Sequence, residues 1–385
     1  MTALLVGCVT IGGCTAPPVR PAPSPGTTPP VRSPASVPAG PSPFALAEPT
    51  MILARAAHTA TLLPDGRALI AGGCAIDGCE GMRLAAQSEF YSPSARRFLA
   101  GPVMTAPRAG HTATPLLDGR VLLTGGYGAE GQAPWPTAEI FDPRRGVFAP
   151  TGPMGVRRGA HTATRLRDGR VLVVGGSDGG AALTSVEVFD PETGRFTPAA
   201  SLPGPRATHG AALLADGRVL VAGGQSGVGH GVALLDTAAV YDPAADAWRE
   251  VDRLVVPKYK LAIAALPGGG ALVIGGQTAD AAGARLSTTE TFDPRSGRFA
   301  AGSSMAEPRY KISDAVAALP DGRIAVAGGY GLEVYAVGRF RQAALGEVER
   351  QSPALVVLAD GTALVTGGYD DRTRVTATAY LADTT

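Results

Sequence analysis

Charge is scarce in this 385-residue chain. Only 17% of residues are Asp, Glu, Lys or Arg, and 34 basic against 33 acidic side chains leave a formal charge of +1. So balanced a surface has no electrostatic basis for gripping nucleic acid or an acidic membrane. No run of 18 apolar residues occurs, so no segment is long enough to cross a bilayer as a helix. Catalytic signatures are missing too: there is no Ser-nucleophile motif, no phosphate-cradling glycine loop opening a helix, and no paired-carboxylate signature. Aromatics make up 5% and cysteines number four. Abundance lies elsewhere, in 52 glycines and 33 prolines. That composition approaches the disordered range, so periodicity has to decide whether the chain folds.

Periodicity is strong. "RAGHTATPLLDGRVLLTGG" (108–126) is nearly rewritten as "RGAHTATRLRDGRVLVVGG" (158–176). A double glycine recurs seven times, at Gly72-Gly73, Gly125-Gly126, Gly175-Gly176, Gly223-Gly224, Gly275-Gly276, Gly328-Gly329 and Gly367-Gly368, mostly 48 to 53 residues apart. Seven residues before each double glycine a turn dipeptide begins, Asp-Gly in six copies and Gly268-Gly269 in one. Asp-Gly between apolar runs signals a hairpin, because glycine accepts the positive φ the turn demands. A second hairpin follows, as in "AEIFDPRRGVF" and "VEVFDPETGRF", with an aromatic closing the fourth strand at Phe98, Phe148, Phe196, Trp248 and Phe299. The pattern resembles the kelch repeat and spans residues 44–385. The resemblance implies an all-β fold, a seven-bladed kelch-type β-propeller with one four-stranded blade per repeat. The last repeat stops after its third strand, "TATAYLADTT". The segment from Phe44 to about Pro49 is therefore expected to supply the missing outer strand and close the ring, since an unfinished blade would leave an open edge.

The first 14 residues, "MTALLVGCVTIGGC", are apolar with small residues before each cysteine, and "TAPPVRPAPSPG" follows abruptly. They resemble a bacterial lipoprotein signal with Cys14 as the lipidated residue, although no basic stretch precedes the apolar one. Residues 15–43 then read as a Pro-rich disordered tether. The resemblance implies an extracytoplasmic, membrane-anchored protein, in the periplasm or at the cell surface, touching the membrane only through its lipid. In such an oxidising compartment Cys74 and Cys79 are expected to form a local disulfide.

A cation stands ten residues before each turn dipeptide: Arg55, Arg108, Arg158, Arg206, Lys258, Lys311 and Arg350. In a propeller these positions fall where the chain enters the innermost strand, so they form a candidate basic collar for an acidic small molecule, a glycan or a protein. The structural alternative carries more weight. Glu89, Glu139, Glu187, Glu290 and Glu333 recur in the third strand of five repeats, replaced by Ala239 and Thr378 in the fourth and seventh. Arg–Glu pairing would neutralise most of the collar, leaving Arg206 and Arg350 as the best candidates for free charge. His58, His111, His161 and His209 share one position in repeats one to four, with Leu261 and Asp314 expected there in the next two. They lie on separate blades without a carboxylate at ligand spacing, so no metal site and no cofactor is expected. Where the histidine disappears, Tyr259-Lys260 and Tyr310-Lys311 stand instead, and Tyr259 and Tyr310 join the ligand-binding candidates.

The leading functional reading is a binding module, expected to be a monomer, that engages its ligand at the collar face. One alternative is a carbohydrate-active enzyme on the same face, like the sialic-acid mutarotases or galactose-oxidase-like copper enzymes among kelch proteins. A structural envelope protein is the third.

Overall fold

Blade two shows how the repeat folds. Its strands Thr112–Pro115, Val121–Thr124, Ala138–Asp142 and Val147–Pro150 pair antiparallel in sequence order. Asp118 and Gly119 form the first turn: Gly119 has φ +87° and donates its N–H to Leu116 O, while Asp118 Oδ1 accepts from Arg120 N at 3.0 Å. The second strand, Val-Leu-Leu-Thr, is buried on both faces. Its alternation sends Val121 and Leu123 towards blade one and Leu122 towards blade three. The hydrophobic core is accordingly a series of inter-blade layers around a ring.

This computed structural model describes residues 49–77, 84–128, 133–229, 232–278 and 285–385. Among them there is no α-helix, and the strands make seven sheets, four-stranded in blades one to five and three-stranded in six and seven. The aromatic that ends each fourth strand packs on the aromatic of the third. Phe141 and Phe148 have centroids 5.0 Å apart, and Tyr241 and Trp248 the same. Such a pair adds about 0.5–1.5 kcal/mol beyond the area it buries.

The double glycine is required by the blade junctions. Gly126 N donates to Arg158 O of the next blade at 2.9 Å, and the corresponding bond recurs from Gly73, Gly176, Gly224, Gly276 and Gly368. A Cβ on Gly125 would lie 2.2 Å from that same Arg158 oxygen. Only a residue without a side chain permits so close an approach.

Blades six and seven depart from the pattern. In blade six the strand Ile324–Ala336 pairs with Val316–Ala318 through its first residues and with Arg339–Arg350 through its last. Gly328 and Gly329, both at positive φ, bend it between the two stretches. Blade seven holds Ala354–Val357, Ala363–Thr366 and Ala379–Ala382. Residues 49–51 run beside the last of these: Thr50 bridges to Thr378, Met51 N donates to Ala377 O, and Ala379 N donates to Pro49 O. The propeller is thus closed by an N-terminal strand at its described end. Residues 44–48 of the expected clasp, the tether and Cys14 lie outside the described residues.

Candidate functional site

Around one mouth of the central channel the chain writes a ring of left-handed residues, one per blade: Ala57, Gly110, Ala160, Thr208, Lys260, Lys311 and Ser352, with φ between +49° and +59°. Around most of the ring each N–H donates to the carbonyl of the preceding member, at 2.8–3.2 Å from Ser352 O to Ala57 N and on to Lys311 N. Six of the seven carry a side chain, at a cost of about 1–2 kcal/mol each in that region. The inter-blade hydrogen bonds offset the strain and hold the rim rigid.

The expected basic collar is not at this rim. Arg55, Arg108, Arg158 and Lys258 are 0% exposed, with side chains turned into their own blades. They pair with Glu89, Glu139, Glu187 and Glu290 at 2.7, 3.0, 2.7 and 2.7 Å. Arg55, Arg108 and Arg158 also donate to the carbonyls of Gly72, Gly125 and Gly175. The glutamates are used on both oxygens, Glu139 Oε2 accepting from Thr105 N and Oγ1. Arg206 is just as enclosed at 3% exposure. It donates to Gly223 O, Thr237 O and Thr237 Oγ1, and burial pulls its guanidinium pKa down to about 10. Arg350 makes the same set of bonds to Gly367 O, Thr378 O and Thr378 Oγ1.

In blade six, Arg309 and not Lys311 occupies the sixth position of this series: it pairs with Glu333, donates to Gly328 O and accepts Gly276 N. Counting back from Asp321-Gly322 misplaces it because blade six is two residues longer before the turn. Its partner at the histidine position is accordingly Ile312, and Asp314 falls outside that series.

The histidines staple neighbouring blades. His58 Nε2 and Thr366 Oγ1 share a hydrogen bond of 2.8 Å, His111 bonds Thr59 at 3.2 Å, and His209 bonds Thr162 at 3.0 Å. His161 reaches both Thr112 and Thr124. Burial, foremost, holds all four neutral; the pKa is down to about 3 in His111 and His209. Leu261 packs against Gly223 as each histidine packs against its own glycine.

With the arginines and histidines absorbed by structure, the mouth belongs to a different set. A cavity of about 620 Å³ is lined by the ring residues, by Tyr127 and Tyr369, and by Ser313 and Asp314. Its wall combines Ala113, Ala163, Ala211, Ile263 and Val316 with His111, His161, His209 and several threonines. Lys311 Nζ bonds the hydroxyl of Tyr369 and stands 5.2 Å from the Tyr310 ring centre, while Arg285 covers that ring at 4.7 Å. Burial lowers the Lys311 pKa and raises that of Tyr369. Lys260 lies over the Tyr259 ring at 4.4 Å. Tyr259 itself is 2% exposed and Tyr310 donates to Gln351 Oε1 at 2.5 Å, so both act as supports for the lysines. Lys260, Ser313 and Asp314 are the mouth residues that repeat-counting missed. Aligning "PKYKLA" directly on "PRYKIS" sets Lys258 on Arg309 and would have exposed the insertion. Cys74 is buried beside the rim; Cys79, its expected disulfide partner, lies outside the described residues.

A kelch motif matches residues 158–203, which are blade three with its incoming cation. No curated protein matches the chain. Among solved structures it is similar to a fungal alcohol oxidase of the AA5 family determined in complex with copper. The TM-score is 0.71 at 16% identity over 88% of this chain and 76% of that one, a likeness of fold. The chain is a seven-bladed β-propeller that carries a kelch motif in its third blade. Its residues do not fit a copper centre. Among the described residues no three His, Cys, Asp or Glu side chains converge, and the blade-linking histidines already use Nε2 on threonines.

Proposed function

We propose that this propeller is a binding module that takes a small acidic ligand at the channel mouth. One observation carries the reading: the ring is occupied by Ala, Gly, Ala, Thr and Ser in five blades, yet adjacent blades five and six place Lys260 and Lys311 there, both lining the cavity. Two ammonium groups on a rigid rim, above a wall that mixes small apolar side chains with threonines and neutral histidines, suit a carboxylate carried on a compact body. Thermal-shift measurement of the full chain against sugar acids and dicarboxylates tests it. At least one should raise the melting temperature in a salt-sensitive way, and a panel without effect would sink the reading. We also propose that the protein is an extracytoplasmic lipoprotein anchored through Cys14, with Cys74 and Cys79 joined as a disulfide. Cys14→Ser should release it from membranes, and Cys74 should resist alkylation until reduced; retention of the variant, or a freely reactive Cys74, would exclude these assignments.

A further inference from the structure

The two residues that lengthen blade six sit inside the channel. Ser313 and Asp314 form a turn closed by Ala315 N donating to Ile312 O at 3.0 Å, and both line the cavity. Asp314 Oδ2 accepts from Ser313 Oγ at 3.1 Å. Among the described residues its carboxylate has no other hydrogen bond and no ion pair. A half-buried carboxylate on a cavity wall, with one hydroxyl for company, is a group that a cation can reach and pair with. The surrounding wall does not provide it, since beside its apolar side chains it carries threonines and the neutral His111, His161 and His209, and the lysines of the rim stand with their tyrosines. The same cavity thus presents one acidic side chain and two basic ones.

We propose that the mouth selects a zwitterion, taking its ammonium group at Asp314 and its carboxylate at Lys260 and Lys311. This rests on reading the rim as an anion site and adds a requirement for the opposite charge. The ligand class is a small molecule with an amine and an acid on a short spacer, since both charges have to be met within one cavity of about 620 Å³.

Titration of the mouth follows from the same geometry. Asp314 shares the cavity with Lys260, Lys311, Tyr127 and Tyr369 at the rim and with His111, His161 and His209 on the wall. Burial pushes the Asp314 carboxyl up to about 6, whereas the histidines stay neutral to far lower pH. Below about 6 the carboxyl is protonated and the preference for an ammonium group disappears.

Isothermal titration of the full chain with glycine, 4-aminobutyrate and 6-aminohexanoate, against acetate, butyrate and hexanoate, tests this at pH 7.5 and pH 5. At pH 7.5 at least one amino acid should bind about tenfold or more tightly than its matched anion, and Asp314→Asn should erase the difference. At pH 5 the unaltered chain should lose it too, which keeps the test independent of the variant's folding. Matched anions that bind as tightly as the amino acids at pH 7.5, or an advantage that survives both Asp314→Asn and pH 5, would overturn the zwitterion while leaving the anion site standing. Binding of neither series would remove both.

Discussion

Arg108 and Arg206 hold one position in two blades and differ in a single partner. Arg108 faces Glu139 with both side chains fully buried, whereas Ala239 stands where blade four would carry the glutamate. Arg108→Gln leaves a carboxylate enclosed without its counter-ion and should cost about 3–5 kcal/mol. Arg206→Gln removes only hydrogen bonds to Gly223 O and Thr237 and should cost about 1–3 kcal/mol. Urea melts of the two variants check the ordering; equal losses would mean that the glutamates contribute nothing to the blades. The histidines make a second residue-scale case with a definite sign. Their folded pKa values lie below the unfolded 6.5, so the unfolded chain takes up protons that the folded one refuses. Stability present above pH 6.5 is lost as pH falls towards 3. Asp314 runs the other way: its pKa is raised from 3.8 to about 6, so stability present below 3.8 is lost as pH rises through 6. Asp314→Asn should therefore raise the melting temperature at pH 8 and leave it unchanged below about pH 4, while His161→Leu, copying Leu261, should flatten the acid loss. Melting curves across that range would contradict both if the variants tracked the parent protein.

At the scale of the element, the hairpins and aromatic pairs were legible because turn chemistry is local: Asp-Gly and Asp-Pro declare themselves wherever they stand. The Arg–Glu pairing was legible from the repeat, since a cation just before the first strand and a glutamate in the third recur together in fixed register. Blade six was not. Its two extra residues leave the spacing of turn and double glycine intact, so counting back from the turn lands on Lys311 instead of Arg309. The left-handed ring was invisible for a different reason. Ala57, Ala160, Thr208, Lys260 and Ser352 carry no preference for positive φ, and only the inter-blade hydrogen bonds impose it. Glycines separate these two kinds of constraint. Gly146, in the second hairpin of blade two, has φ +67° and open space around it, so Gly146→Ala should cost about 1–2 kcal/mol. Gly125→Ala adds a Cβ 2.2 Å from Arg158 O and should cost well beyond that or prevent folding. Similar melting temperatures for the two variants would show that the blades can part at no cost.

For the whole molecule, the seven-fold frame and the mouth are different achievements of the sequence. Repetition builds the frame and consumes the conspicuous residues, burying arginines and histidines that looked like a site when read along the chain. Departure from repetition makes the mouth, in two lysines where other blades have small residues and in the extra turn of blade six. The binding role therefore stands or falls on the contrast between rim and frame. Calorimetric affinity for the tightest acidic ligand of the screen, measured with Lys260→Gln and Arg206→Gln at two salt concentrations beside their melting temperatures, tests it most directly. Lys260→Gln should weaken binding about tenfold and shrink its salt dependence with the melting temperature intact, while Arg206→Gln should lower the melting temperature and leave the affinity of the folded protein unchanged. Unaltered affinity in Lys260→Gln, or a loss confined to Arg206→Gln, would contradict the assignment of the mouth.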